Sequence, residues 1–225
     1  MSDEWRRSGN VYSLLGMLSA PLSPVQASGV LYLHGFNSGY GSPKSALIRE
    51  ACAALALPCA TPQLSHRPLA ALRLAEAQLA ELGPNPLLVG SSMGGFLVTC
   101  LAERHDLAAV LINPAVRPAR LVTQWLGEAF VNEYSGEHFT VEAVHGEELA
   151  ALTPRQVSPQ RYLLLLGSAD ETLDPADAHA LYHGARTLIQ PGGDHGFSTL
   201  ADHLPAVFAH GGHHLASGVI ASQPR

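Results

Sequence analysis

The five residues Gly90-Ser91-Ser92-Met93-Gly94 constrain this chain more than any other stretch. They join an apolar run, Pro86 to Gly90, to a longer one that starts at Ser92 and stays apolar nearly all round to about Arg104. The first has the length of a buried strand and the second that of a buried helix. Joining them without a spacer forces a turn so tight that the residue at its tip takes strained backbone angles. Its flanks must then lack Cβ atoms to avoid clashing. Gly90 and Gly94 meet that need if Ser92 is the tip. Centring the turn on Ser91 would require glycines where Val89 and Met93 stand, so only one register works.

The rest of the chain supplies a frame for such a turn, because short apolar runs alternate with longer amphipathic ones, the pattern of strands and crossover helices. Val30 to His34 reads as a first buried strand, stopped by Gly35. Ser42 and Pro43 read as an N-cap and first helical residue, opening a helix with Leu47, Ala51, Ala54 and Leu55 on one face and an end at Pro58. A short edge-like strand near Cys59 to Thr61 leads to a helix striped by Leu69, Leu72, Ala75, Leu79 and Leu82. Further strands are expected at Ala108 to Asn113, Arg161 to Gly167 and Thr187 to Gln190, with helices over about 175–183 and 199–210. The expected fold is α/β: a mainly parallel sheet flanked by helices, with residues 28–210 as one domain. Residues 114–158 have mixed polarity and no strong period, and are expected to form a small cap over the sheet. Residues 1–27 read as a leader, disordered or preceding a later start, and residues 211–225 as a disordered tail.

At 225 residues one core suffices. A formal net charge of −6, with no run of Lys or Arg, opposes nucleic acid and anionic lipid as partners. No segment approaches the roughly 20 uninterrupted apolar residues of a membrane span. Cys52, Cys59 and Cys100 are odd in number and lie in no zinc-ligand spacing, which favours a reducing, cytoplasmic setting and buried thiols. Of the histidines, His179 and His183 share a helical face and His210, His213 and His214 cluster near the end. Neither set has carboxylate or cysteine companions at ligand spacing, so no metal and no cofactor is expected.

A serine on a strand-to-helix turn is the arrangement of an activated nucleophile, and the helix start behind it offers backbone N–H groups to an oxyanion. Ser92 is therefore the candidate nucleophile. The amides of Met93 and of Phe36, the latter in His34-Gly35-Phe36 at the end of the first strand, are candidate oxyanion donors. His34 itself reads as a structural residue satisfied by local backbone. A serine needs a base held by a carboxylate, in the chain order Ser, acid, His. Asp170 lies just past the strand ending at Gly167, and His195 lies in a glycine-rich loop, read as flexible, after the last strand. One helix and one strand fit between them, which would return both to the edge of the sheet that carries Ser92. Glu171, Asp174, Asp177 and Asp194 are ranked lower: Asp174 and Asp177 suit a helix start, and Asp194 is too close to its neighbour's ring.

These residues sit in longer motifs: YLHGFNS at Tyr32 to Ser38, GSSMGG at Gly90 to Gly95, LINPAVRP at Leu111 to Pro118, the GE elements around Glu128 and Tyr134 to Glu137, LLLLGSADETLD at Leu163 to Asp174, and GGDHGF at Gly192 to Phe197. With them the chain, from about Val30 to Phe208, resembles the small bacterial YqiA-type esterases of the α/β-hydrolase fold. It departs from them at Met93, where leucine is usual, at Glu133, where proline is common, and in its first 27 or so residues. The resemblance implies hydrolysis of a small-molecule carboxylic ester or acyl thioester through a serine, aspartate and histidine that fall on Ser92, Asp170 and His195. A non-catalytic binding protein on the same fold is the rival from another class.

Overall fold

The computed structural model describes residues 25–218. Six strands form a parallel sheet in the order β2 (Cys59–Ala60), β1 (Val30–Leu33), β3 (Leu87–Ser91), β4 (Ala109–Ile112), β7 (Tyr162–Gly167) and β8 (Arg186–Gln190). Parallel neighbours need crossovers, and the helices supply them: α1 (Pro43–Ala54), α2 (Pro68–Ala80), α3 (Met93–His105), α6 (Pro175–Leu181) and α7 (Leu200–His210). β1, β3, β4 and β7 are buried at every residue, as expected for strands covered on both faces.

The strand period of two sorts the core into two layers. Leu31, Leu33, Leu88 and Leu111 join Leu72 and Leu79 of α2 and Leu97 and Leu101 of α3 on one face. Val30, Tyr32, Val89 and Val110 join Ile48 of α1 and Leu204 and Phe208 of α7 on the other. Every residue of α3 from Gly94 to Ala102 is buried, so a helix apolar all round is what this position demands. As read from the sequence, Ser42 caps α1: its side chain accepts from the Ser45 N–H and Pro43 follows at the first turn.

Chain order reverses between β1 and β3, since β2 lies to one side of that pair and all later strands to the other. At such a switch point the loops leaving the carboxyl ends of adjacent strands diverge and open a crevice. The turns carrying His34-Gly35-Phe36 and Ser92 leave from that point, with Leu33 in register with Gly90.

The segment over 114–158 is more regular than its sequence suggests. It holds α4 (Pro118–Trp125), an antiparallel hairpin of β5 (Ala129–Val131) and β6 (His138–Thr140), and α5 (Ala143–Leu152). Each of the two helices buries only two residues, Pro118 and Val122 in α4, and His145 and Leu149 in α5. In α5 so thin a stripe leaves no helical period to read, whereas α4 is amphipathic but only eight residues long.

Folded structure also continues past residue 210. Gly211 O accepts from the Ala27 N–H at 2.8 Å, His213 Nε2 lies 2.8 Å from Ala27 O, and Leu215 is buried. Ala27 and residues 211–215 thus close over one end of the sheet, whereas residues 1–24 and 219–225 lie outside the described part. Cys52, Cys59 and Cys100 are free thiols, and among the described residues no helix is long and apolar enough to cross a membrane.

Candidate active site

Ser92 sits between β3 and α3 with φ 53° and ψ −121°, the strained geometry its flanks imply. The glycines are there for space. A Cβ on Gly90 would lie 2.4 Å from Gly94 O, and one on Gly94 would lie 2.0 Å from Leu33 O and 2.5 Å from His34 O. Gly95 packs on Pro114, and Gly35 lies against the Ser92 side chain: a Cβ on Gly35 would fall 3.2 Å from Ser92 Cβ and 3.7 Å from its Oγ. The backbone of Ser92 is pinned on both sides, its N–H donating to Ile112 O at 3.0 Å and its carbonyl accepting from Ala115 N–H at 3.0 Å.

Among the described residues, neither the Phe36 nor the Met93 N–H donates to another protein group. Phe36 follows Gly35, which packs on the Ser92 side chain, and Met93 follows Ser92 itself. His34 is 3% exposed and fully occupied: Nδ1–H donates to Gly35 O at 2.9 Å and Nε2 accepts from Leu64 N–H at 3.0 Å. Burial pulls its pKa below the usual histidine value, partly offset by the Gly35 bond, which suits a neutral ring that props the oxyanion turn.

Asp170 and His195 come together. His195 Nδ1 lies 3.0 Å from Asp170 Oδ1 and 2.9 Å from Oδ2, with the carboxylate side chain 1% exposed and the imidazole 22% exposed. Asp170 Oδ1 also accepts from the N–H groups of Thr172 and Leu173 at 2.9 and 2.8 Å, which fixes the carboxylate before the ring arrives. The hydrogen bonds of the ring go to Asp170, and none joins it to Ser92 Oγ.

The other acids have separate work. Glu171 accepts the His195 backbone N–H at 3.0 Å, Asp174 caps α6 through Ala176 N–H at 2.9 Å, and Asp194 accepts from Ser198 N–H at 3.4 Å. The glycine-rich loop before His195, read from the sequence as flexible, is held tightly. A Cβ on Gly167 would lie 2.5 Å from Gly193 O, the Ala169 N–H donates to Gly193 O at 2.9 Å, and the Gly192 N–H donates to Ser168 Oγ at 2.8 Å. Gly193 serves close approach, a Cβ there falling 2.9 Å from Gln190 Cγ and 3.0 Å from Gly167 Cα, while Gly192 supplies a positive φ of 68°.

Asn113 stands in a strand-end segment, Asn113-Pro114-Ala115-Val116, to which sequence reasoning assigns no role. Buried at 3% exposure with φ 42°, it donates from Nδ2 to Asp194 O at 2.9 Å and to His195 O at 3.2 Å, and accepts at Oδ1 from Gly167 N–H at 2.8 Å. One amide thus ties the end of β4, next to Ser92, to the end of β7 and to the histidine loop. An asparagine before proline at a strand end was the available signal, since asparagine tolerates positive φ, but its partners lie more than fifty residues away. Lys44 on α1 adds a further tie, its Nζ donating to Gly196 O at 2.6 Å.

A pocket opens beside this site, walled by Phe36, Met93, Leu97, Trp125, Phe139 and Leu149 among others. Phe36 anchors the aromatic wall, stacking on Trp125 at 5.1 Å and meeting Phe130 and Phe139 edge-on at 5.1 and 5.7 Å. Gly35, Phe36 and Met93, which adjoin Ser92, line this pocket, whereas neither Ser92 nor His195 does.

The architecture is that of the α/β-hydrolases. Similar solved structures include a monoacylglycerol lipase from Paleococcus ferrophilus, at 17% identity and TM-score 0.58 over 83% of this chain and 96% of that one. Est1E from Butyrivibrio proteoclasticus with bound ferulic acid matches at 17% identity and TM-score 0.57 over 86% and 90%. The ydeN gene product of B. subtilis matches at 12% and 0.57 over 80% and 98%. At these identities the likeness is one of fold. The family model described as "Uncharacterised protein family (UPF0227)" matches residues 29–211, and the chain belongs to that family, the YqiA family of its motifs.

Proposed function

We propose that this chain is a serine hydrolase of carboxylic esters, with Ser92 as nucleophile, His195 as base and acid, Asp170 as its partner, and the Phe36 and Met93 amides as oxyanion donors. The observation that carries this reading is the paired contact of His195 Nδ1 with both oxygens of the buried Asp170, on the sheet edge that also bears the strained Ser92. With Nδ1–H turned to the carboxylate, Nε2 is left as the basic nitrogen.

In the first half-reaction Ser92 Oγ bonds to the ester carbonyl carbon and its proton passes to His195 Nε2. The carbonyl oxygen becomes an oxyanion facing two backbone N–H groups, whose individual loss typically costs about 3 to 4 kcal/mol of transition-state stabilisation. The carbon–oxygen bond to the alcohol then breaks and the alcohol leaves with the proton from Nε2. In the second half a water gives a proton to Nε2 and its oxygen to the acyl carbon, and Ser92 departs with that proton as the acid is released. Asp170 stabilises the imidazolium in both halves.

A fluorophosphonate probe tests this. One adduct is expected on the intact protein and none on Ser92→Ala. A folded wild type that stays unlabelled, or a label that survives Ser92→Ala, would refute the assignment. Matched esters and thioesters of one acyl group then read the leaving-atom preference.

A further inference from the structure

Resting on that reading, we infer that the substrate's acyl group carries an oxygen substituent remote from its carbonyl, recognised by His145 at the polar end of the apolar pocket. The side of the pocket assigns it to the acyl group. A leaving alcohol must face His195 to collect its proton, so the acyl group extends the other way, past Phe36 and Met93, into the pocket that both residues line.

Most of that pocket is apolar, yet its polar atoms are not all paired. From Phe36 the wall steps to Phe139 at 5.7 Å, then to His66, stacked on Phe139 at 4.5 Å, then to His145 at 5.4 Å. His145 is therefore three rings removed from the oxyanion turn. It is 5% exposed, and its Nδ1 accepts the Glu142 N–H at 2.8 Å as part of the capping box that starts α5. The same nitrogen lies 3.1 Å from Glu142 O, but the Glu142 N–H is directed at it over the shorter distance, which leaves the ring N–H on Nε2. That atom is buried and, among the described residues, has no hydrogen-bond partner, in a residue that lines the pocket. Asn37 Oδ1, an acceptor, is orphaned in the same pocket, and Glu137 Oε1 lies 3.0 Å from His66 Nδ1 without the angle of a hydrogen bond.

The neighbouring polar groups show that this pattern is local. Asn132 lines the same pocket with both ends occupied, Nδ2 donating to Ser38 O and Oδ1 accepting from Tyr134 and Ser135 N–H, and His34 is likewise saturated. A purely hydrocarbon acyl chain would leave the Nε2–H of His145 without an acceptor. An oxygen there satisfies it, and a hydroxyl can also donate to Asn37 or Glu137. Two acyl types share this chemistry, hydroxyaryl and hydroxyalkyl.

The experiment compares kcat/KM within two pairs of methyl esters: 4-hydroxycinnamate against cinnamate, and 8-hydroxyoctanoate against octanoate. The hydroxylated member of at least one pair is expected to be favoured about 10-fold or more, and the pair that responds identifies the acyl type. The preference should fall towards unity in His145→Gln. Glutamine can still accept the Glu142 N–H and keep the capping box, but it lacks the ring N–H. Reading a ratio cancels any general loss of activity in the variant. Ratios near unity for both pairs in a wild type that hydrolyses p-nitrophenyl acetate and takes the fluorophosphonate label would overturn the acyl assignment alone. So would an undiminished preference in His145→Gln. A folded wild type with neither label nor acetate turnover overturns the hydrolase reading beneath it.

Discussion

Replacing Asn113 separates the structural and the positioning parts of its role. Its amide serves three buried backbone groups: Gly167 N–H, Asp194 O and His195 O. In Asn113→Ala all three lose their partner. At about 1 to 1.5 kcal/mol for each buried bond the loss is roughly 3 to 4.5 kcal/mol. Alanine at φ 42° adds about 1 kcal/mol more, because its Cβ disfavours the left-handed region that asparagine tolerates. The total, about 4 to 5.5 kcal/mol, is a large share of an ordinary domain's stability of about 5 to 15 kcal/mol. It should appear as a melting point lower by roughly 10 to 20 °C and a matching shift in urea midpoint. Asn113→Asp is the sharper variant. It keeps the backbone preference and the acceptor for Gly167, but sets a second carboxylate oxygen against the two carbonyls of the histidine loop. Its penalty therefore falls where His195 is held, and displacing the imidazole by about 1 Å is expected to reduce kcat/KM on a simple ester about 100-fold. An Asn113→Ala protein that loses less than 1 kcal/mol, or an Asn113→Asp protein with native kcat/KM, would refute the argument.

Two further outcomes follow from the same geometry. Gly94→Ala should cost at least about 3 kcal/mol in urea unfolding, since its Cβ would meet the backbone of Leu33 and His34. Gly146→Ala, inside α5 with Val122 Cγ1 at 3.4 Å, should instead stabilise by about 0.5 to 1 kcal/mol; equal effects of the two would show that packing at the turn does not set the glycine. Stability should also fall in acid. Burial lowers the folded pKa of His34 and His210 below the usual 6.5, so the unfolded chain takes up protons first. Their contribution is complete above about pH 6.5 and is lost as pH falls through the folded values, with a slope of up to about 1.4 kcal/mol per pH unit for each histidine. A urea midpoint no lower at pH 5.5 than at pH 7.5 would contradict this.

The order and type of the sheet elements were legible because each is specified within a dozen residues. β3 and α3 are apolar runs of different length, and the turn between them needs glycines at Gly90 and Gly94 whatever surrounds it. The spacing from Ser92 to the acid and histidine was legible too, since parallel strands return the chain to the same edge at each crossover. Choosing among Asp170, Glu171 and Asp174 was a matter of angle. Three acids within five residues differ only in where a turn points them, and the turn amides of Thr172 and Leu173 decide that Asp170 meets the ring.

Tertiary structure alone decided the rest. The cap helices α4 and α5 each offer only two buried residues and take their stability from packing on one another and, for α5, on α2, partners distant in the chain. The pocket likewise draws its walls from the oxyanion turn, α2, α3 and the cap, and its polar end from His66, Glu137 and His145, which are far apart in sequence. The sequence determined that a serine would stand strained between a strand and a helix of a mainly parallel sheet, because backbone sterics at one turn are local; the sheet order that puts it at the switch point is tertiary. Which side chains face that serine, and through Asn113 how its histidine is held, are sums over distant partners that exist only once the chain has folded.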